Sequence, residues 1–179
     1  MKRLPPKLLS RLAKIKLFVC DVDGVLTDGA IFIGGSREIK RFNIHDGLGL
    51  VLLRRAGIKT AWVSSRPSQA TTMRARELKI TFLVQQKDQL SKAAAIEEIL
   101  AREKLQWDDV CFVGDDIVDL GPLEKAGVGA AVADAVDEAK AAAQLVTRAA
   151  GGHGAVREMV ELILKAQSKW DSIIAGYRE

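Results

Sequence analysis

The sequence of 179 residues predicts an α/β fold, a doubly wound parallel sheet, on three observations. Short apolar runs alternate with helix-length segments along the chain. The run Leu17-Phe18-Val19-Cys20 stops abruptly at Asp21-Val22-Asp23-Gly24, as a buried parallel strand does when it delivers charge to its C-terminal edge. Two later runs, Thr60-Ala61-Trp62-Val63 and Val110-Cys111-Phe112-Val113, end likewise in Ser64-Ser65-Arg66 and Gly114-Asp115-Asp116. Right-handed crossovers put every strand's C-terminal end on one edge, which gathers Asp21, Ser64 and Asp115.

Each element follows in order. Leu8, Leu9, Leu12 and Ile15 recur at helical spacing within a basic stretch, 1–15, and predict an N-terminal helix. After the first strand, 30–42 reads as a β-hairpin, because Gly34-Gly35 between β-prone runs permits a tight turn. A helix is expected over 47–56, a strand to Val63, a helix over 68–78 and a strand over 82–84. Next come an alanine-rich helix over 91–104, a strand to Val113, a short helix over 120–126 and a strand over 128–132. A short strand at 145–146, a C-terminal helix over 156–170 and a tail, 171–179, complete one domain, 1–179. Only about 35 residues separate Thr27 from Ser64, and fewer than about 30 separate Ser64 from Lys92, so neither gap holds a cap domain.

Composition narrows the function classes. A hydrophobic content of 48% with 28% charged residues describes an ordinary globular domain with a sizeable core. Cys20 and Cys111 lie inside apolar strand candidates, which suits buried thiols in a reducing compartment rather than a disulfide framework. The basic N-terminus lacks the uninterrupted apolar segment of a signal peptide and no window approaches a membrane span, so a cytoplasmic protein without membrane association is expected. The net charge of +4 is dispersed, and Trp62, Trp107 and Trp170 show no interleaved stacking pattern. A solvated basic surface that attracts small anions fits better than a nucleic-acid partner.

Asp21 and Asp23 carry the chemistry. Two carboxylates this close repel, and a hard divalent cation, Mg²⁺, relieves them. The competing reading is an Asx turn that only ends the strand. The later segments favour a reaction centre: a hydroxyl at Ser64, a lysine at Lys92 opening a helix, and carboxylates at Asp115, Asp116 and Asp119 together suit phosphoryl transfer.

In this order the four signals resemble the haloacid dehalogenase superfamily of aspartate-nucleophile phosphatases, whose DxDGxxT signature is Asp21-Val22-Asp23-Gly24-Val25-Leu26-Thr27 here. With Phe42-Asn43-Ile44-His45-Asp46-Gly47-Leu48-Gly49 and Gly151-Gly152-His153-Gly154-Ala155-Val156-Arg157-Glu158, the chain resembles the 3-deoxy-D-manno-octulosonate 8-phosphate phosphatase family over roughly 15–167. The link at 85–91 is about two residues longer than the family's, by counting along the chain. Alignment on the following helix makes Lys92 the family lysine, whereas alignment on Asp88 places Gln89 there.

The resemblance implies a Rossmann-like, capless haloacid dehalogenase fold. It implies Asp21 as nucleophile, Asp23 as general acid, Ser64 and Lys92 as phosphate ligands, and Asp115 joining Asp21 and the Asp23 main-chain carbonyl around Mg²⁺. Asp119 and Asp116 orient this shell or simply place charge at a helix start. Arg66, beside Ser65, meets a substrate carboxylate or faces solvent. His45 and Asp46 contact substrate or cap a helix, and His153 stands where the family often has arginine. The implied reaction releases phosphate from 3-deoxy-D-manno-octulosonate 8-phosphate in lipopolysaccharide precursor synthesis, in a homotetramer assembled by hairpins and closed by a neighbour's tail. The rivals are a nine-carbon keto-deoxy sugar acid 9-phosphate phosphatase and a catalytically silent phosphatase-like assembly module.

Overall fold

The computed structural model describes residues 4–34, 37–85 and 91–178. Six parallel strands form one sheet in the order β5-β4-β1-β6-β7-β8, with β1 Leu17–Cys20, β4 Lys59–Ser64, β5 Phe82–Gln85, β6 Val110–Gly114, β7 Val128–Ala131 and β8 Leu145–Val146. β1 lies at the centre, fully buried on both faces, with Phe18 opposite Thr60 on one side and Cys111 on the other. A strand covered on both faces has no polar side to offer, which is why its sequence is continuously apolar rather than alternating. The chain leaves β1 toward β4 and later returns to β6 on β1's other flank, so strand order reverses at β1 and opens a crevice at its C-terminal end.

Helices cover the sheet: α1 Pro6–Leu12, α2 Ile44–Arg55, α3 Gln69–Leu78, α4 Lys92–Glu103, α5 Leu120–Lys125, α6 Asp137–Ala142, α7 Ala155–Ala166 and α8 Trp170–Ala175. The core joins Phe18, Trp62 and Phe112 of the sheet to Leu50 and Leu53 of α2, Ile96 of α4, and Met159 and Ile163 of α7. The hairpin, β2 Phe32–Gly34 and β3 Arg37–Ile39, stands apart as a two-stranded antiparallel sheet with Phe32 opposite Ile39 and Ile33 opposite Glu38. Its expected turn at Gly35 falls outside the described residues, as does the link at 86–90 that contains Lys87 and Gln89. Between β1 and α4 the described residues add only the hairpin, α2, β4, α3 and β5, so no cap domain intervenes.

Several elements depart from the sequence expectation. The N-terminal helix is the short Pro6–Leu12, opened by Pro5-Pro6 and not spanning 1–15. α2 starts three residues before 47 because Asn43 caps it, its side chain accepting from the His45 backbone N–H at 2.8 Å. Asp46, expected to cap this same helix, instead reaches across to α7. It is buried and accepts from the backbone N–H of Arg157 at 2.7 Å and of Gly154 at 3.3 Å. α6 was not expected from the sequence. The helix expected over 156–170 breaks after Ala166, with Ser168 in the left-handed region at φ 55°, and the tail begins inside a further helix, α8. Trp170 then folds back onto α7, 5.3 Å from the Arg157 guanidinium and 5.2 Å from Lys165 Nζ.

Cys20 and Cys111 are buried and free. No helix among the described residues is long and apolar enough to cross a membrane.

Because Asp46 supplies two acceptors to another helix's first turn, Asp46→Ala should destabilise the protein by about 1–3 kcal/mol. A lower urea midpoint at unchanged slope would show this, and an unchanged midpoint would assign α7 its stability without the cap.

Candidate active site

Asp21 follows β1, and its backbone N–H continues the ladder to Val113 O at 3.0 Å, so the last sheet bond aims its carboxylate into the crevice. The loop beyond is braced by Thr27, whose hydroxyl accepts from Gly24 N–H at 3.3 Å and Gly29 N–H at 3.2 Å. This explains why a hydroxyl residue ends the Asp21–Thr27 motif. Gly24 has φ 88°, and a side chain there would overlap the Asp115 carboxylate. The 151–154 loop seals the outer side: Gly152 N–H donates to Val25 O at 2.9 Å, and a methyl on Gly151 would collide with Gly24 O.

Lys92 occupies the first turn of α4, behind the Ser91 N-cap. A cation is disfavoured at this positive end of the helix dipole, so tertiary partners must hold it there. It is buried, with Nζ 2.9 Å from Asp21 Oδ2 and 2.7 Å from Asp119 Oδ1. Asp119 is fully buried and turns its other oxygen to the backbone N–H groups of Asp115 at 2.9 Å and Asp116 at 3.3 Å. It thereby fixes the turn that presents Asp115. Asp116 is exposed and caps the short 3₁₀ turn Ile117–Asp119, accepting from Ile117 N–H at 2.7 Å.

Carboxyl groups of Asp21, Asp115 and Asp119 each offer an oxygen within 4.8 Å of the others. Burial pushes Asp115 up to about 8, with the negative charges of Asp21 and Asp119 adding to it. Burial also raises Asp21 to about 6, against the Lys92 ammonium, which pulls it down. Burial works against the charge on Lys92, but Asp21 and Asp119 together outweigh it and hold its pKa above the ordinary lysine value.

A cavity of about 170 Å³ is lined by Asp21, Asp23, Ser64, Ser65, Arg66, Lys92, Asp115, Asp116 and Val118. All residues expected at the site except Asp119 line it, and Asp119 sits directly behind. Ser64 Oγ is engaged by its own turn, accepting from Arg66 N–H at 3.0 Å and donating to Arg66 O at 3.1 Å. Arg66 is partly exposed, with Nη2 2.6 Å from Glu38 Oε2 of β3. His45 is exposed and lies outside the cavity lining, and Arg157 turns away to Glu161 at 3.0 Å. His153 Nδ1 is 2.7 Å from Gly151 O, and its Nε2 is 3.3 Å from Arg41.

The sequence analysis missed Glu38 and Lys40. The Lys40 side chain is fully buried, with Nζ 2.6 Å from Asp23 Oδ1. The one available signal was the period-two spacing of Glu38 and Lys40 around Ile39, which places both charges on one strand face.

Comparison with known proteins agrees with this geometry. The haloacid dehalogenase-like hydrolase family matches residues 79–159. The chain is 41% identical over 162 residues to 3-deoxy-D-manno-octulosonate 8-phosphate phosphatase KdsC of Yersinia pestis, covering 90% of this chain and 86% of that protein. The Escherichia coli enzyme of the same name is 39% identical over 164 residues, covering 91% and 86%. A crystal structure of 3-deoxy-D-manno-octulosonate 8-phosphate phosphatase from Moraxella catarrhalis, in complex with magnesium ion, phosphate ion and KDO, superimposes with a TM-score of 0.92. It is 37% identical and covers 96% of this chain and 98% of that one. Sheet order, crevice and relatives together place this chain in the 3-deoxy-D-manno-octulosonate 8-phosphate phosphatase family of the haloacid dehalogenase-like hydrolases.

Proposed function

We propose that this chain is a Mg²⁺-dependent phosphomonoesterase that hydrolyses 3-deoxy-D-manno-octulosonate 8-phosphate to the free sugar acid and phosphate, in lipopolysaccharide precursor synthesis. The observation that carries the reading is the convergence of Asp21, Asp23, Lys92 and Asp115 on one sheet edge, in a chain whose relatives bear that name over most of their length.

The residues present fit a hard divalent cation. Asp115 Oδ1 is buried without a hydrogen-bond partner, and burial, reinforced by the anionic Asp21 and Asp119, raises the carboxyl to about 8, which a bound cation would reverse. Asp21, Asp115 and the Asp23 main-chain carbonyl would hold Mg²⁺, while Asp119, whose oxygens already serve Lys92 and two backbone amides, keeps the turn in place. When bound, Mg²⁺ neutralises charge on the phosphoryl oxygens.

The chain's own groups do the rest. An Asp21 carboxylate oxygen bonds to phosphorus as the bond from phosphorus to the sugar oxygen breaks, and Asp23 gives that oxygen a proton. Asp23 then takes a proton from the water that attacks the aspartyl-phosphate, restoring Asp21. Lys92 keeps Asp21 oriented from 2.9 Å and adds positive charge beside the transferring group. Ser65 offers its hydroxyl to the phosphate, Ser64 does so once its proton turns from Arg66 O, and Arg66 stands at the rim, placed for a substrate carboxylate.

A homotetramer built through the hairpins accompanies this reading. Ile33 is 80% exposed, Ile39 62% and Phe32 56%, on a two-stranded sheet too small to be stable alone. A cytoplasmic location suits the two free buried thiols.

Three outcomes test these assignments. Asp21→Asn should lose activity by several orders of magnitude while staying folded, and Lys92→Ala should lose at least about tenfold to a hundredfold. Phosphate release by the purified variants decides, with turnover near wild type by either one refuting its role. The second outcome concerns metal and pH. Asp21 and Asp115 have folded pKa values raised above 3.8, so in chelator their contribution to stability is full below about 3.8 and is lost as pH rises through about 6 and about 8. Mg²⁺ requires the ionised forms, so its stabilising shift in melting temperature should be small near pH 5 and large near about pH 8.5. A pH-independent shift would place the cation elsewhere. Third, Ile31→Asp with Ile33→Asp should yield smaller species in sedimentation, with lower activity, whereas a fully active monomer would separate assembly from catalysis.

A further inference from the structure

Burying an ammonium is expensive, so the groups around Lys40 report what it is for. Its side chain has no exposed surface, and Nζ lies 2.6 Å from Asp23 Oδ1, 3.2 Å from Thr71 Oγ1 and 3.6 Å from Glu38 Oε1. Glu38 extends the cluster, with Oε1 accepting from Ser68 Oγ at 2.8 Å and Oε2 2.6 Å from Arg66 Nη2. Both Asp23 oxygens are buried without a hydrogen bond; Oδ1 is held by its ion pair with Lys40, while Oδ2 has no ion-pair or hydrogen-bond partner among the described residues, although the residue lines the cavity. One oxygen of this carboxyl is thus ion-paired and the other is left for the reacting ester.

A tie between hairpin and body would need any ion pair at this point. It would not need the anionic partner to be the residue two positions from the nucleophile, nor one of its oxygens to stay unpaired. A carboxyl side chain has broad freedom about its terminal torsion, and a proton donor must hold its geometry within about 0.5 Å. We infer that Lys40 is a positioning residue for Asp23, fixing the rotamer from which its free oxygen delivers the proton to the leaving oxygen. Thr71 holds the ammonium from α3, and Glu38 links the same cluster to Arg66, so β3 and the residue that follows it order the acid and the rim arginine together. This inference rests on the reading of Asp23 as general acid given under Proposed function.

The test separates leaving groups. Loss of a sugar alkoxide requires a proton as the phosphorus–oxygen bond breaks, whereas p-nitrophenolate departs without one. kcat/KM covers only the steps through formation of the aspartyl-phosphate, so it isolates the acid's role from its later use as a base. Lys40→Met should lower kcat/KM for 3-deoxy-D-manno-octulosonate 8-phosphate by about a hundredfold, and for p-nitrophenyl phosphate by less than about fivefold. Thr71→Val, close to isosteric, should show the same selectivity at about threefold to tenfold. In an Asp23→Asn background, Lys40→Met should add no further loss, because there is then no acid to position.

Equal losses for the two esters, or an additive loss in the Asp23→Asn background, would reduce Lys40 to a structural tie and overturn the inference. Should Lys40→Met fail to fold, Thr71→Val decides alone: a selective loss supports positioning, and a uniform loss or none overturns it. Failure of the wild type on the eight-carbon ester, with hydrolysis of another alkyl phosphate such as glucose 6-phosphate, would refute the substrate reading only. The leaving-group ratio is then measured with that ester.

Discussion

The site depends on one buried ammonium between two buried carboxylates. Asp21, Asp115 and Asp119 crowd the C-terminal edges of neighbouring strands β1 and β6. At roughly 5 Å and an effective dielectric near 20, each pair of full charges would repel by about 3 kcal/mol. Lys92 offsets the repulsion for Asp21 and Asp119 by lying within 3 Å of both. Asp115 is left outside that pairing, and the structure relieves it with a proton or, in the proposed enzyme, with a cation. The position of α4 follows from this, since its first turn must deliver a lysine against its own dipole. So does the shape of the turn after β6, which exists to turn Asp119 back toward its own backbone.

Around this centre the loops are closed by contact rather than by a lid. Gly24 lies against the Asp115 carboxylate, Gly151 against Gly24, and Asp46 anchors the far end of the 151–154 loop by binding the amides that open α7. These three contacts carry the position of a carboxylate at the sheet edge out to a helix on the flank. A small domain without a cap can hold a reaction centre still in this way, because each layer leaves no room for a side chain of the next to shift.

The doubly wound sheet was legible because its signals are local. β1 is buried on both faces, so it reads as an unbroken apolar run whatever its neighbours, and the Asp21–Thr27 loop is braced by its own threonine. Lys92 was legible through chain order, once the alanine-rich helix fixed its place. Lys40 and Asp46 were not, because their meaning lies in partners 17 or more positions away: Asp23 and Thr71 for the lysine, Gly154 and Arg157 for the aspartate. In a run such as Glu38-Ile39-Lys40-Arg41, charge alone reads as a solvated surface. The start of α2 was obscured by Gly47 and Gly49, which lower helix propensity while allowing close packing against α3 and α7. The break at Ser168 carries neither glycine nor proline to announce it.

Glu38 in β3 and Lys40 just beyond it turn to the reaction centre, while Ile39 turns outward. Residues directly opposite across an antiparallel pair share a face, so Phe32 joins Ile39 on the outward side and Ile33 shares the side of Glu38. Because the side-chain period is two, a slip of one residue between β2 and β3 would exchange the faces of β2 and move Phe32 away from Ile39. The register of this short pairing therefore decides which apolar side chains stand beside the charged cluster and which face outward.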